Sequence, residues 1–152
     1  MDNLVAMPAR FDILIVDDSP TELRIMQEAL TDARMTNRLH TAQGGFEAMA
    51  FLRKEGPFAA APRPSLILLD LTMGPKGGLA VLAEIKADPA LCSIPTIIVT
   101  SSLEESDVAK AYRLQANGYI VKPIDLDDLI EVMGGLEEYW SGIVRLPALA
   151  TP

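Results

Sequence analysis

The sequence predicts an α/β fold in which a doubly wound, five-stranded parallel sheet is flanked by five helices. Short apolar runs alternate with segments of helical periodicity, which is the βαβ pattern that builds a parallel sheet. Runs such as LILL and TIIV do not alternate apolar with polar residues, as expected of strands that helices cover on both faces. A length of 152 residues fits one domain with its own core.

The five strand candidates are apolar runs bounded by polar or turn-forming residues. In chain order they are FDILIV (11–16), NRLHTA (37–42), SLILLD (65–70), PTIIVT (95–100) and GYIVK (118–122). The segment GPFAAAPRP (56–64) contains three prolines and is predicted to be an exposed loop.

Capping signals mark where the helices begin. Ser19 and Glu22 form an S-x-x-E box, in which a hydroxyl and a carboxylate reciprocally cap the first free backbone donors. Pro20 occupies the first helical position, where its missing N–H does no harm. The starts of the other helices are marked by the glycine pairs 44–45 and 77–78, by Ser101 with Glu104 or Ser102 with Glu105, and by Asp125.

Composition limits the class of protein. The formal net charge of -8 disfavours binding to nucleic acid or to an anionic membrane, because both need clustered Lys and Arg. The single cysteine, Cys92, allows no internal disulfide, and neither a signal peptide nor a membrane span is predicted. We therefore expect a cytoplasmic protein with an N-terminal extension (1–10), one domain (11–140) and a C-terminal tail (141–152).

Polar residues follow the predicted strands at a single edge of the sheet, because the carboxyl ends of parallel strands lie together. They are Asp17, Asp18, Asp70, Thr100 and Lys122. Carboxylate oxygens with room for water suit Mg²⁺, whose shell phosphate oxygens usually complete. Adjacent carboxylates repel each other, so a bound cation explains why Asp17 and Asp18 are neighbours.

A cation beside Asp70 allows this carboxylate to act as a nucleophile toward phosphorus, because it neutralises the repulsion between two anions. Lys122 can pair with Asp70 before phosphorylation and with a phosphoryl oxygen after it. The Thr100 hydroxyl can bond the same oxygens. A cis Lys122–Pro123 peptide would aim the lysine inward. Each residue taken alone also fits an ordinary turn, strand or surface role, and only their convergence favours chemistry.

The motifs VDDS, LILLD, IVTSS and YIVKP occur in the order and at the spacing of the receiver domain of two-component response regulators. The chain resembles this CheY-like family from about Phe11 to Tyr139. The resemblance implies the strand order 2-1-3-4-5. It also implies a signalling protein that catalyses its own phosphotransfer and autodephosphorylation.

The resemblance assigns roles to individual residues. Asp70 would be the phosphoacceptor, Asp18 a direct ligand of Mg²⁺ or Mn²⁺, and Asp17 a ligand through water. The Thr72 backbone carbonyl would complete the metal site. Thr100 would be the switch hydroxyl, Lys122 the phosphate-binding lysine, and Tyr119 the aromatic residue that turns inward when Thr100 moves. The loop TMGPKGG departs from the family pattern, with Gly74 where proline is usual and Pro75 one position later.

The C-terminal part is similar to the small receivers that serve bacterial and cyanobacterial phytochromes, through RLQANGYIVKP and EYWSGIVRLP. The partner implied is a sensor histidine kinase, whose phosphohistidine would dock near the first helix, and this likeness points to a light-sensing bacteriophytochrome. An apolar seam in the last helix has the spacing of a helix that packs on another helix. Its first half is expected to face the sheet of the same chain. Beyond Leu136, the residues Trp140, Ile143, Val144 and Leu146 are expected to meet a second copy, which predicts a homodimer formed through helix 4, strand 5, helix 5 and the tail. The seam comprises Leu126, Leu129, Met133, Leu136, Trp140 and Ile143.

Two other functions share parts of this pattern. A phosphatase of the haloacid dehalogenase type also uses an aspartate nucleophile and Mg²⁺, but it needs a second aspartate where this chain has Thr72. A flavodoxin-like electron carrier would need a phosphate cradle after the first strand, where Asp17 and Asp18 would repel the FMN phosphate.

Overall fold

The computed structural model of the protein describes residues 12–32 and 38–122. These residues form a five-stranded, entirely parallel sheet with the order β2-β1-β3-β4-β5, which confirms the predicted topology. The strands are β1 (Asp12–Val16), β2 (Arg38–Ala42), β3 (Leu66–Leu69), β4 (Thr96–Thr100) and β5 (Gly118–Val121). The helices are α1 (Pro20–Asp32), α2 (Gly45–Arg53), α3 (Gly78–Ala87) and α4 (Glu105–Arg113), with a short 3-10 helix at Gly56–Phe58.

The three central strands are buried along their whole length, because helices cover both faces of the sheet. The edge strand β5 is only partly buried, and β2 is exposed at its start. Side chains from the central strands, α2 and α3 pack into one hydrophobic cluster. In the described part of the chain, no helix has the length and apolar character that a membrane crossing requires.

The capping box predicted for α1 forms only in part. The Glu22 backbone N–H donates to the Ser19 hydroxyl at 3.2 Å, as predicted. The Glu22 carboxylate does not bond the Ser19 backbone in return, because the Ser19 N–H donates to Asp17 and the Glu22 carboxylate contacts the Lys122 ammonium. The partner of this carboxylate is therefore the ammonium of a lysine far away in the sequence and not the local backbone N–H.

The capping box predicted for α4 is wrong. The helix begins at Glu105 after Glu104, and no side chain caps it. The Ser102 hydroxyl instead donates to the Asp107 carboxylate at 2.5 Å and accepts from the Glu104 N–H at 3.3 Å. The predicted fifth helix, its cap Asp125, the Lys122–Pro123 peptide, the apolar seam of the last helix and the predicted domain limits lie outside the described residues.

Candidate functional site

The strand register brings three carboxylates to one corner of the sheet. Val16 of β1 lies beside Leu69 of β3, so the residues that follow them emerge at the same level. The Asp70 backbone N–H donates to the Val16 carbonyl at 3.0 Å. Carboxylate oxygens of Asp17, Asp18 and Asp70 all lie within 4.8 Å of one another. Such an oxygen-only donor set fits a hard divalent cation.

The three carboxylates differ in their exposure and their protein contacts. Asp17 and Asp70 are 5% and 6% exposed, whereas Asp18 is open to solvent. One Asp17 oxygen accepts from the Ser19 backbone N–H at 2.9 Å, and the other contacts the Lys122 ammonium at 3.0 Å. Protein groups thus engage both oxygens of Asp17, while those of Asp18 face the solvent.

Lys122 enters the site from the end of β5, where its backbone N–H donates to the Thr100 carbonyl at 2.6 Å. Its ammonium contacts Asp17 at 3.0 Å and Glu22 at 3.2 Å. The expected pairing with Asp70 at rest is therefore not observed, since two other carboxylates hold the ammonium. Burial lowers the pKa of Lys122, but the hydrogen bond and charge of Asp17, the charge of Asp70 and the bond to Glu22 outweigh it and raise this pKa.

Asp70 is the carboxylate whose ionisation the fold opposes most clearly. Burial raises the pKa of Asp70, and the Asp17 charge acts in the same direction. The neighbouring Thr100 hydroxyl, the Lys122 ammonium and the Thr72 backbone N–H lower the pKa in part. The Thr72 N–H approaches an Asp70 oxygen at 3.4 Å. A second positive charge beside Asp70 would thus relieve an unfavourable buried anion.

The Thr100 side chain is fully buried, and its hydroxyl has no hydrogen-bond partner among the described residues. An unsatisfied buried hydroxyl costs about 1 to 3 kcal/mol. The hydroxyl lies close enough to the Asp70 carboxylate to lower its pKa, but it does not reach the geometry of a hydrogen bond. An oxygen-rich group attached to Asp70 could therefore give this hydroxyl its missing partner.

Tyr119 links the same region to the start of α4. Its ring packs against the hydrophobic core, and its hydroxyl donates to the Ser102 carbonyl at 3.0 Å. Ser102 lies two residues after Thr100, so a movement of Thr100 would act on the tyrosine through a short piece of chain.

The unusual loop after Asp70 is held between α2 and α3. The Leu71 carbonyl accepts from the Met73 and Gly78 backbone N–H groups, and the Gly74–Pro75 peptide is cis. Lys76 forms an ion pair with Glu84 of α3. The Lys76 ammonium also lies 5.5 Å from the centre of the Phe46 ring of α2. These contacts fix the loop that carries Thr72 beside the carboxylates.

A cleft of about 390 Å³ opens onto the carboxylates. Its lining consists of Asp17, Asp18, Ser19, Glu22, Ile25, Met26, Asp70, Thr72, Val99, Ser101 and Lys122. Glu22 is a site residue that the sequence pattern presents only as a helix cap. Its position in the first turn after the paired aspartates is the signal that places it at this rim.

The raised pKa of Asp70 predicts how stability depends on pH in the absence of a cation. Between the ordinary value of 3.8 and the raised one, the folded protein holds a proton that the unfolded chain has lost. Stability therefore falls as pH rises through this window. We expect Asp70→Asn to be progressively more stable than the wild type as pH rises from strongly acidic to neutral. Thermal unfolding with a chelator checks this, and a gap between the two proteins that is the same at every pH would contradict it.

Known proteins resemble the chain over most of its length. The sequence model of the response regulator receiver domain matches residues 13–133. Response regulator Rcp1 of Synechocystis sp. is 43% identical over 136 residues, which cover 90% of this chain and 92% of that protein. The structure of the phosphorylated cyanobacterial phytochrome response regulator RcpA is 42% identical, with a TM-score of 0.84 and coverage of 91% of this chain and 99% of that chain. The Mn²⁺-bound form of Rcp1 is 42% identical with a TM-score of 0.82 and the same coverage.

Proposed function

The chain belongs to the family of response regulator receiver domains, and we propose that Asp70 is the carboxylate on which it accepts a phosphoryl group from a histidine kinase. The protein is a signalling protein whose phosphoacceptor role follows from this family. The observation that carries the choice of Asp70 is its position. It is a buried carboxylate near Lys122 and the unsatisfied Thr100 hydroxyl, at the cleft where Asp17 and Asp18 converge, and unlike Asp17 it does not bond the Lys122 ammonium.

The metal proposed for this site is Mg²⁺ or Mn²⁺. Asp18 would bind it directly because its oxygens face the solvent, and Asp17 would bind through water because protein groups engage both its oxygens. Asp70 and the Thr72 backbone carbonyl would complete the protein ligands. When bound, the cation supplies positive charge that reduces repulsion between Asp70 and the incoming phosphoryl group.

Transfer requires an in-line displacement at phosphorus. An Asp70 oxygen forms the new bond while the nitrogen–phosphorus bond of the phosphohistidine breaks, and the imidazole leaves with the electron pair. Lys122 lies close enough to Asp70 to influence its pKa, so a short side-chain movement would bring its ammonium to a phosphoryl oxygen. The receiver thereby catalyses its own modification, and later hydrolysis of the aspartyl phosphate would use the same groups.

The switch proposed for the phosphorylated protein begins at Thr100. Its hydroxyl gains a phosphoryl oxygen as partner, which removes an unsatisfied buried group. The chain between Thr100 and Ser102 moves with it, and this alters the position of the Ser102 carbonyl that Tyr119 contacts. Phosphorylation would thus shift the balance between two arrangements of the face formed by α4 and β5.

The kinase proposed as partner is a phytochrome. The resemblance to Rcp1 and to the phytochrome response regulator RcpA supports this choice. The homodimer also remains a prediction, because the whole apolar seam that suggests it lies outside the described residues. Two apolar or aromatic side chains of the α4 region, Leu103 and Tyr112, are 76% and 50% exposed and are available to such an interface.

Labelling by acetyl phosphate tests the proposed function without a kinase. We expect the protein to gain one phosphoryl mass in the presence of Mg²⁺, and chelation to reduce the rate at least about a hundred-fold, because repulsion between anions is then uncompensated. Intact-mass spectrometry measures the product. Restoring Mg²⁺ to the chelated sample is the control, and it should recover the rate. Equal labelling with and without the divalent cation would contradict the proposal.

A further inference from the structure

Glu22 is an anionic residue of the cleft to which the family pattern assigns no role, and its carboxylate does not make the predicted capping bond. It lies in the first turn of α1, lines the cleft and contacts the Lys122 ammonium at 3.2 Å. Its side chain is 39% exposed, so its carboxylate faces both the lysine and the solvent from which small anions enter. The contact joins residues that are 100 positions apart in the chain.

The Lys122 ammonium has two carboxylate partners of similar distance, Asp17 at 3.0 Å and Glu22 at 3.2 Å. Only Asp17 belongs to the cluster of three carboxylates that fits a divalent cation. A cation held at Asp17 repels the ammonium, which must then weaken its contact with Asp17. Glu22 gives Lys122 a partner during this exchange and adds negative potential near the cation.

The Glu22 carboxylate opposes the step that follows cation binding, which is the phosphorylation of Asp70. It helps to hold the Lys122 ammonium, which forms hydrogen bonds with Asp17 and Glu22 and none with Asp70. It also repels an anionic phosphodonor that approaches through the cleft. Both effects oppose attack on a small free anion. A phosphohistidine presented by a docked protein has binding energy from its own interface to offset them.

We propose that Glu22 is a positioning residue for Lys122 that favours divalent-cation binding and slows phosphorylation by small anionic donors. This inference rests on the proposed function, because it assumes that the cleft binds a cation and accepts a phosphoryl group. Glu22 therefore biases the site toward a protein donor and away from free metabolic phosphates.

Glu22→Gln tests this role because it removes the charge and keeps the shape. We expect the dissociation constant for Mg²⁺, measured by calorimetry without a phosphodonor, to rise about three-fold, as for a partly exposed ion pair. At saturating Mg²⁺ we expect labelling by acetyl phosphate to become about three-fold or more faster. The rate gain with phosphoramidate, which carries less negative charge, should be smaller.

Glu28→Gln is the matched control, because Glu28 is an exposed glutamate of the same helix that does not line this cleft. Glu28→Gln should leave the Mg²⁺ dissociation constant and the rate of labelling by acetyl phosphate unchanged. Opposite effects on cation affinity and labelling rate distinguish a positioning role from general loosening of the fold, which would weaken both.

The inference is overturned if Glu22→Gln leaves the dissociation constant and the labelling rate within the range of the Glu28→Gln control, or if it weakens cation binding and also slows labelling. If the wild type is labelled and the variant behaves like it, only the role of Glu22 fails. If neither donor labels the wild type, the proposed function fails, and the Mg²⁺ titration then decides the role of Glu22. An unchanged dissociation constant in that titration overturns it.

Discussion

Asp70→Asn is expected to abolish phosphoryl labelling by acetyl phosphate or by a histidine kinase, with a loss of about a thousand-fold or more. An amide oxygen is a far weaker nucleophile than a carboxylate oxygen, and it carries no charge to bind a cation. The variant should remain folded, because the amide replaces a buried carboxyl whose ionisation the surroundings oppose. Intact-mass spectrometry of both proteins over a time course measures the loss.

Two further variants test whether the loss of labelling is specific to Asp70. Asp88→Asn changes an aspartate at the end of α3, away from the cleft lining, and should label like the wild type. Asp18→Asn keeps the acceptor but removes the most exposed of the three carboxylates, so higher Mg²⁺ should restore part of its rate. Rapid labelling of Asp70→Asn would transfer the acceptor role to another residue and refute its assignment to Asp70.

Gly78→Ala is expected to destabilise the protein by about 3 kcal/mol or more, since its methyl group has no space. A Cβ atom at Gly78 would lie 2.1 Å from the Asp70 carbonyl oxygen and 2.5 Å from the Leu71 Cα. These neighbours are backbone atoms at the end of β3, so they cannot turn away as a side chain can. The start of α3 or the chain at Asp70 must move, and we expect labelling to fall as well. Thermal or denaturant unfolding measures the stability.

Gly77→Ala is the control for the loss of a glycine at the same helix start. A Cβ atom there would meet the Met73 and Leu71 carbonyl oxygens only at 3.6 and 3.7 Å, which are ordinary contacts. We expect little change in the free energy of unfolding. Similar losses in the two variants would show that chain flexibility, and not the close approach to Asp70, determines the cost.

The sheet could be predicted closely because its strands are buried apolar runs. LILL and TIIV match β3 and β4 to within one residue at each end, since their composition and flanking polar residues leave few alternatives. The corner of carboxylates follows from the same reasoning, because parallel strands place their carboxyl ends together. The strand order and register are sufficient to predict that Asp17 and Asp70 lie close together.

The partners of individual charged side chains could not be predicted in this way. Local rules pair Glu22 with the start of its own helix, whereas the fold brings Lys122 within 3.2 Å of it. Ser102 offers a similar case, because its hydroxyl bonds Asp107 and leaves the start of α4 without a side-chain cap. Such contacts depend on distances of a few ångströms between elements that are far apart in the sequence.

The proposed chemistry depends most on one divalent ion held by Asp17, Asp18 and the phosphoacceptor Asp70. The most direct test is a crystal structure of the protein grown with Mn²⁺, in which anomalous scattering locates the ion. The account predicts one strong peak at these three residues, bonded to oxygens of Asp18, Asp70 and the Thr72 carbonyl. A fully occupied ion elsewhere, with this corner holding only water, would contradict it.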